Sequence, residues 1–139
     1  MANTIDMQDM RYLNLFEKVT RIRTRFCFEY NNTIFFCVPK QFVFQSIGES
    51  AKNLKIIGTT IARKVRVIFF PVSTNDTRTF IEKIIEPINF KDMEITDQEI
   101  IVTAGGMQNK AALFGRNKKR FEEMKKITQT FFSKDFRVV

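Results

Sequence analysis

Histidine and tryptophan are absent from this chain of 139 residues, and cysteine, proline and glycine are scarce, at two, three and five. Without histidine the commonest general base, proton shuttle and metal ligand near neutral pH is missing. Triads and dyads that relay a proton through imidazole are excluded. Zinc sites built on imidazole are excluded too, and two cysteines cannot supply four thiolates. Neither GxxxxGK[ST] nor GxGxxG occurs, and the nearest glycine-rich piece, Gly105-Gly106, has neither spacing. Nothing marks any carboxylate pair as catalytic. The expectation is therefore no catalytic residue, no metal, no cofactor and no small-molecule substrate. Long apolar runs are missing as well. Val67-Ile68-Phe69-Phe70 is far too short to span a bilayer, so no membrane partner is expected. The opening residues, Met1 to Met10, have neither a basic n-region nor an apolar h-region, which makes the cytoplasm the default expectation.

What the chain does have is positive charge and phenylalanine. Lys and Arg number 23 against 15 Asp and Glu, a formal charge of +8, and 16 Phe stand beside two Tyr. Such a balance favours an anionic partner, with nucleic acid first. Hydrophobic residues at 44% and charged residues at 27% are those of a globular protein rather than a disordered one.

Periodicity divides the chain into two similar runs. Thr4 to about Thr20 reads as a helix with Thr4 as N-cap and Met10, Leu13, Phe16 and Val19 inward. Thr24–Tyr30 and Thr33–Val38 read as a hairpin around Asn31-Asn32. That register sets Cys27 opposite Phe36 and Cys37 opposite Phe26, so the two cysteines point to opposite faces and stay free thiols. Phe26, Phe28, Tyr30, Phe35 and Cys37 then form the expected core face. Ile34, Phe36 and Val38 are left either for a contact between the halves or for a place under a loop of their own half. Gln41–Ile47 and Lys52–Ala62 read as helices flanking Gly48-Glu49-Ser50-Ala51, with Leu54, Ile57 and Ile61 inward, and Val65–Phe70 reads as a strand. Residues 71–76 are the most linker-like stretch. The order then recurs: helix from Thr77 to Glu86, strands Phe90–Ile95 and Glu99–Thr103, helix Met107–Phe114, break Gly115-Arg116-Asn117-Lys118, helix Lys119–Phe132 and strand Phe136–Val139. Gly115 follows Gly48 by 67 residues, and the same offset maps the hairpin 24–38 onto 91–105. The fold class expected is α+β: two tandem αββααβ units packed together, residues 1–70 and 77–139 joined by the linker 71–76.

In each unit a glycine break precedes a helix whose N-terminus offers unpaired N–H groups and a positive dipole end, which suits phosphate. The order αββααβ given twice, with these breaks, resembles a tandem of type II KH domains, and over essentially the whole chain it is similar to the archaeal NusA-like transcription factors. The residues that carry the resemblance are Arg11-Tyr12-Leu13 with Leu15-Phe16-Glu17, Ile47-Gly48 with Asn53-Leu54-Lys55, and Arg63 to Ile68. In the second half they are Phe80-Ile81, Ile84 with Pro87, and Phe114-Gly115-Arg116-Asn117 with Phe121. The resemblance implies single-stranded RNA as partner, a GxxG loop that clamps about four nucleotides, and a role in transcription elongation, pausing or termination. RNA polymerase is a further candidate partner.

The family pattern at the breaks is Ile-Gly-Lys-Asn-Gly, and this chain departs from it. Glu49 sets a carboxylate where a phosphate would lie, and Ala51 replaces the closing glycine. The second break keeps glycine, base and asparagine but closes on Lys118. Residues 104–126 hold seven basic side chains against two acidic ones, whereas residues 71–103 hold three against seven. Further basic clusters are Arg21, Arg23 and Arg25, and Arg63, Lys64 and Arg66. The second break is thus the expected RNA site, through Gly115, Arg116, Asn117, Lys118, Lys119, Arg120 and Lys110. Gly48, Glu49, Ser50, Ala51, Lys52 and Lys55 are weaker candidates. The alternative is a scaffold that keeps the fold but docks on RNA polymerase or the ribosome. Base stacking on phenylalanine would need exposed rings beside the breaks, and the spacing predicts few.

Overall fold

A computed structural model describes residues 7–139, the Thr74 side chain apart. The architecture is α+β and divides into two compact units, with the boundary between Val72 and Ser73. The first holds α1 (Met7–Thr20), β1 (Phe26–Tyr30), β2 (Thr33–Val38), α2 (Val43–Ile47), α3 (Lys52–Ile61) and β3 (Lys64–Phe69). The second holds α4 (Thr74–Ile85), β4 (Asp92–Ile95), β5 (Glu99–Thr103), α5 (Met107–Phe114), α6 (Lys119–Phe132) and β6 (Asp135–Val138). Each sheet has three strands with the second in the middle, antiparallel to the first and parallel to the third. A parallel pair cannot be closed by a tight turn, so the helix–break–helix segment serves as the crossover between the second and third strands. The expected N-cap Thr4 lies outside the described residues. Among the described residues no helix is long and apolar enough to cross a membrane.

The first hairpin takes the expected register: Tyr30 pairs with Thr33, Cys27 with Phe36 and Phe26 with Cys37. Asn31 and Asn32 both adopt positive φ, 52° and 60°, the conformation that a two-residue hairpin turn needs. Both cysteines are free. The helices cover the face opposite to the expected one, although Tyr30, Phe35 and Cys37 of the expected face are buried as well. Ile34, Phe36 and Val38 join Tyr12, Leu13, Phe16, Ile22, Ile57 and Val67 in one buried cluster. Phe16 stacks on Phe36 with ring centroids 4.5 Å apart. Each such fully buried ring contributes about 1.5–3 kcal/mol through its apolar area. The opposite face carries Phe26, Phe28, Phe35 and Cys37, with Phe28 stacked on Phe35 and Phe26 beside Phe70. Both faces of this hairpin are apolar, so alternation could not say which one the helices cover. On α1 the buried stripe is Tyr12, Leu13, Phe16 and Thr20, while Met10 faces solvent.

The second unit follows the same plan with three adjustments. The expected linker is shorter than 71–76, because α4 begins at Thr74. Its hairpin sits 66, not 67, residues after the first: Asp92–Thr103 is the counterpart of Phe26–Cys37. A one-residue slip exchanges the two faces of a strand. With it, Ile34, Phe36 and Val38 match Ile100, Val102 and Ala104, and all six are buried. Whereas the hairpin comes early, β6 comes late, because α6 has 14 residues and α3 has 10: Val65 is paired to Ile34 as Phe136 is to Ile100.

Candidate nucleic-acid interface

The two breaks have one backbone. Gly48 lies at φ 82°, ψ 166° and Gly115 at φ 74°, ψ 176°, a region open essentially to glycine alone. Each is followed by a single 3₁₀ turn, Glu49–Ala51 or Arg116–Lys118, whose last two residues are left-handed: Ser50 and Ala51 at φ 54° and 60°, Asn117 and Lys118 at φ 56° and 60°. Asparagine tolerates that region, whereas alanine and lysine sit there against their Cβ preference.

Close packing also requires the glycines. A Cβ on Gly48 would stand 3.0 Å from the Asn53 side chain, and one on Gly115 would stand 2.8 Å from Cγ of Arg120. Asn53 and Arg120 occupy equivalent places and do the same work. Asn53 Nδ2 donates to the Gln45 carbonyl at 3.4 Å, and an Arg120 guanidinium nitrogen donates to the Ala112 carbonyl at 3.2 Å. Each ties the helix after the break to the last turn of the helix before it. Arg120, expected among the RNA-binding cations, is therefore half-buried and serves as a brace.

The remaining cations of the second break face solvent: Lys110, Arg116, Lys118 and Lys119 are all exposed, as is Asn117. Helix α6 starts at Lys119 with no side-chain cap, and the Lys118 and Lys119 N–H groups donate to the Gly115 and Arg116 carbonyls of the break itself. The first break also leads into an uncapped helix, α3, with Lys52 and Lys55 exposed, but Glu49 and Ser50 replace the cation and the asparagine.

Sequence reasoning missed a groove beside the first break. It has a volume of about 700 Å³ and runs between α3 and the edge strand β3, lined by Leu54, Lys55, Gly58, Arg63, Lys64 and Val65 among others. Arg63 is held there by Glu29 at 2.7 Å, while Lys55 and Lys64 are exposed and in no ion pair among the described residues. Arg66 of the same basic cluster lies over the Phe35 ring at 5.4 Å. Gly58 keeps the wall of this groove low. Counted from the break glycine, its place in the second unit belongs to Lys125. That side chain lies over the Phe121 ring at 5.5 Å and approaches Asp135 at 3.9 Å. The glycine at 58 was the available signal, since glycine inside a helix often marks a close approach. A cleft of the second unit, about 690 Å³, lies away from the break, at the C-terminal end of α4 around Glu82, Glu86 and Phe90.

Three other placements matter. Arg21, Arg23 and Arg25 are exposed at the C-terminal end of α1, with Arg23 3.9 Å from Glu17. Among the described residues no group of three or more Cys, Asp or Glu is placed to hold a metal ion. Burial pushes the Cys37 thiol well above its ordinary range, with the neighbouring Cys27 adding to the shift.

No protein-family model and no curated protein matches the chain. It is similar to a solved structure described as the crystal structure of APE1850, with a TM-score of 0.63 at 17% identity, over 96% of this chain and 99% of that one. At that identity the likeness is one of fold.

Proposed function

We propose that this chain is a non-catalytic single-stranded RNA-binding protein built from two type II KH-like units, similar to the archaeal NusA-like factors and acting in transcription elongation or termination. The observation that carries the reading is the repeated break. A glycine that only glycine can replace, two left-handed residues and an uncapped helix N-terminus occur at both equivalent positions. Such a backbone brings N–H groups up to a phosphodiester without a Cβ in the way, as the GxxG clamp of a KH domain requires. The αββααβ order of each unit supports the same reading. So does the basic groove beside the first break, where bases would lie.

The units divide the work. The second supplies cations to the phosphates through Arg116, Lys118 and Lys119. The first supplies a groove, with Lys55 and Lys64 at its rim. Titrating the protein with short single-stranded RNA while following amide NMR shifts tests this. Both breaks and residues 54–66 should respond, with an affinity on the order of micromolar that weakens steeply with salt. No shift at low salt would sink the proposal. The carboxylate of Glu49 favours a second reading, a protein-docking scaffold on RNA polymerase or the ribosome. A partner that remains bound after nuclease treatment would support it.

A further inference from the structure

Among the described phenylalanines, the exposed ones are Phe42 and Phe44, and both lie in the segment that leads into the first break. Phe44 is 90% exposed and Phe42 37%. On α2, Val43 and Ile47 pack on the core cluster and Ser46 is buried with its hydroxyl donating to the Phe42 carbonyl at 2.8 Å. Phe44 is thus left on the outer face. The Gly48 N–H donates to the Phe44 carbonyl at 3.1 Å, so ring and break glycine are one turn apart on the same face of the helix. The matching positions of the second unit are Asn109 and Ala111, where no ring is offered. The unit whose break has lost its cation is the unit that presents an aromatic ring beside it.

We infer that Phe44 is a stacking platform for a nucleobase of the strand held at the first break. The inference rests on the RNA-binding reading above and adds a residue to it. A neutral ring suits a base rather than a phosphate, and stacking tolerates any base because each has a π-face. The nearby cations are placed for the same strand: Lys52 begins the helix after the break and Lys55 lines the groove beyond it. Stacking on Phe44 would offset the repulsion between Glu49 and a phosphate at the break.

The chain has no tryptophan, so Phe44→Trp places a single fluorophore at the site. The probe is an oligoribonucleotide of about eight nucleotides, long enough for two four-nucleotide clamps. RNA should quench the variant's fluorescence, and a base-free ribose-phosphate oligomer of equal length should not. Phe44→Ala should weaken RNA binding about 5- to 100-fold, with Phe44→Tyr restoring most of it. If the wild type binds RNA but Phe44→Ala binds equally well and the tryptophan variant is not quenched, the inference is overturned while the RNA-binding reading stands. If the wild type binds no RNA, both fall. If Phe44→Ala leaves RNA affinity intact and converts a wild-type dimer to a monomer, the ring serves a second copy of this chain instead, and the inference is overturned.

Discussion

The first unit has an open basic groove and a break that carries a carboxylate. The second has a break rich in cations and a lysine lying where the groove would run. The same backbone is present at both breaks, so the difference rests on side chains: Glu49 against Arg116, Ala51 against Lys118, Gly58 against Lys125, Phe44 against Ala111. It teaches that a repeated fold fixes the backbone of the break, while a few substitutions set the charge and shape of the surface offered there. The sheets differ in the same way. The outer face of the first hairpin is aromatic, whereas that of the second sheet carries Glu99 and Arg137, 3.8 Å apart.

The strongest way to break the comparison is at what the units share. Gly48→Ala and Gly115→Ala should each lower the stability of their own unit by about 1–3 kcal/mol, because φ and packing both exclude a Cβ. Denaturant unfolding followed by amide NMR would resolve the units, and alanine accepted without loss of stability at either site would contradict the shared backbone. Charge reversal comes next. Arg116→Glu with Lys118→Glu should weaken RNA binding by more than tenfold and flatten its salt dependence by about 0.7 for each cation lost. Lys52→Glu with Lys55→Glu should cost clearly less, and a reversed order in salt-series titrations would move the phosphate grip to the first unit.

A subtler exchange tests the grooves. Lys125→Gly should open the second unit and strengthen RNA binding a few-fold, with circular dichroism confirming that α6 survives a glycine costing roughly 1 kcal/mol. Unchanged affinity would mean that Lys125 does not occlude a base site. Smaller still, Ala51→Gly and Lys118→Gly should each stabilise by about 0.5–1 kcal/mol by relieving left-handed strain, measurable as a rise in Tm. The smallest contrast lies in alkaline pH. The folded-state pKa of Cys37 is raised, so the folded form holds its proton longer than the unfolded one. Stability should therefore fall as pH rises above about 8.5, by at most about 1.4 kcal/mol per pH unit. The second unit has no cysteine, and Cys37→Val should abolish the effect in a pH series of urea melts.

Much of this fold is legible in the residues. Met107–Phe114 and Lys119–Phe132 are helices with the bounds their periodicity gives, and Asn31-Asn32 announces its turn. The inward face of the first hairpin is not legible, because Phe26, Phe28 and Phe35 are as apolar as Ile34, Phe36 and Val38. The helical start of the linker-like stretch is hidden for a related reason: Thr74, Asn75 and Asp76 are turn formers that serve equally well in a first helical turn. At the candidate site, the cluster Arg116, Asn117, Lys118 and Lys119 is legible because charge adjacent to a glycine break is a local property, and all four are exposed. That the Arg120 guanidinium braces the Ala112 carbonyl is seen only in the structure.

The sequence by itself determined the two glycine breaks, the uneven charge along the chain and the repeat that relates its halves. Those follow from φ restrictions, composition and spacing, which act within a few residues. Only the tertiary structure decided that the hairpin correspondence shifts to 66 residues, that Gly58 leaves a groove open where Lys125 lies across its counterpart, and that Phe44 faces solvent. Each of these depends on which surfaces meet across strands and helices far apart in the chain, and side-chain burial is settled by that packing rather than by neighbours in sequence.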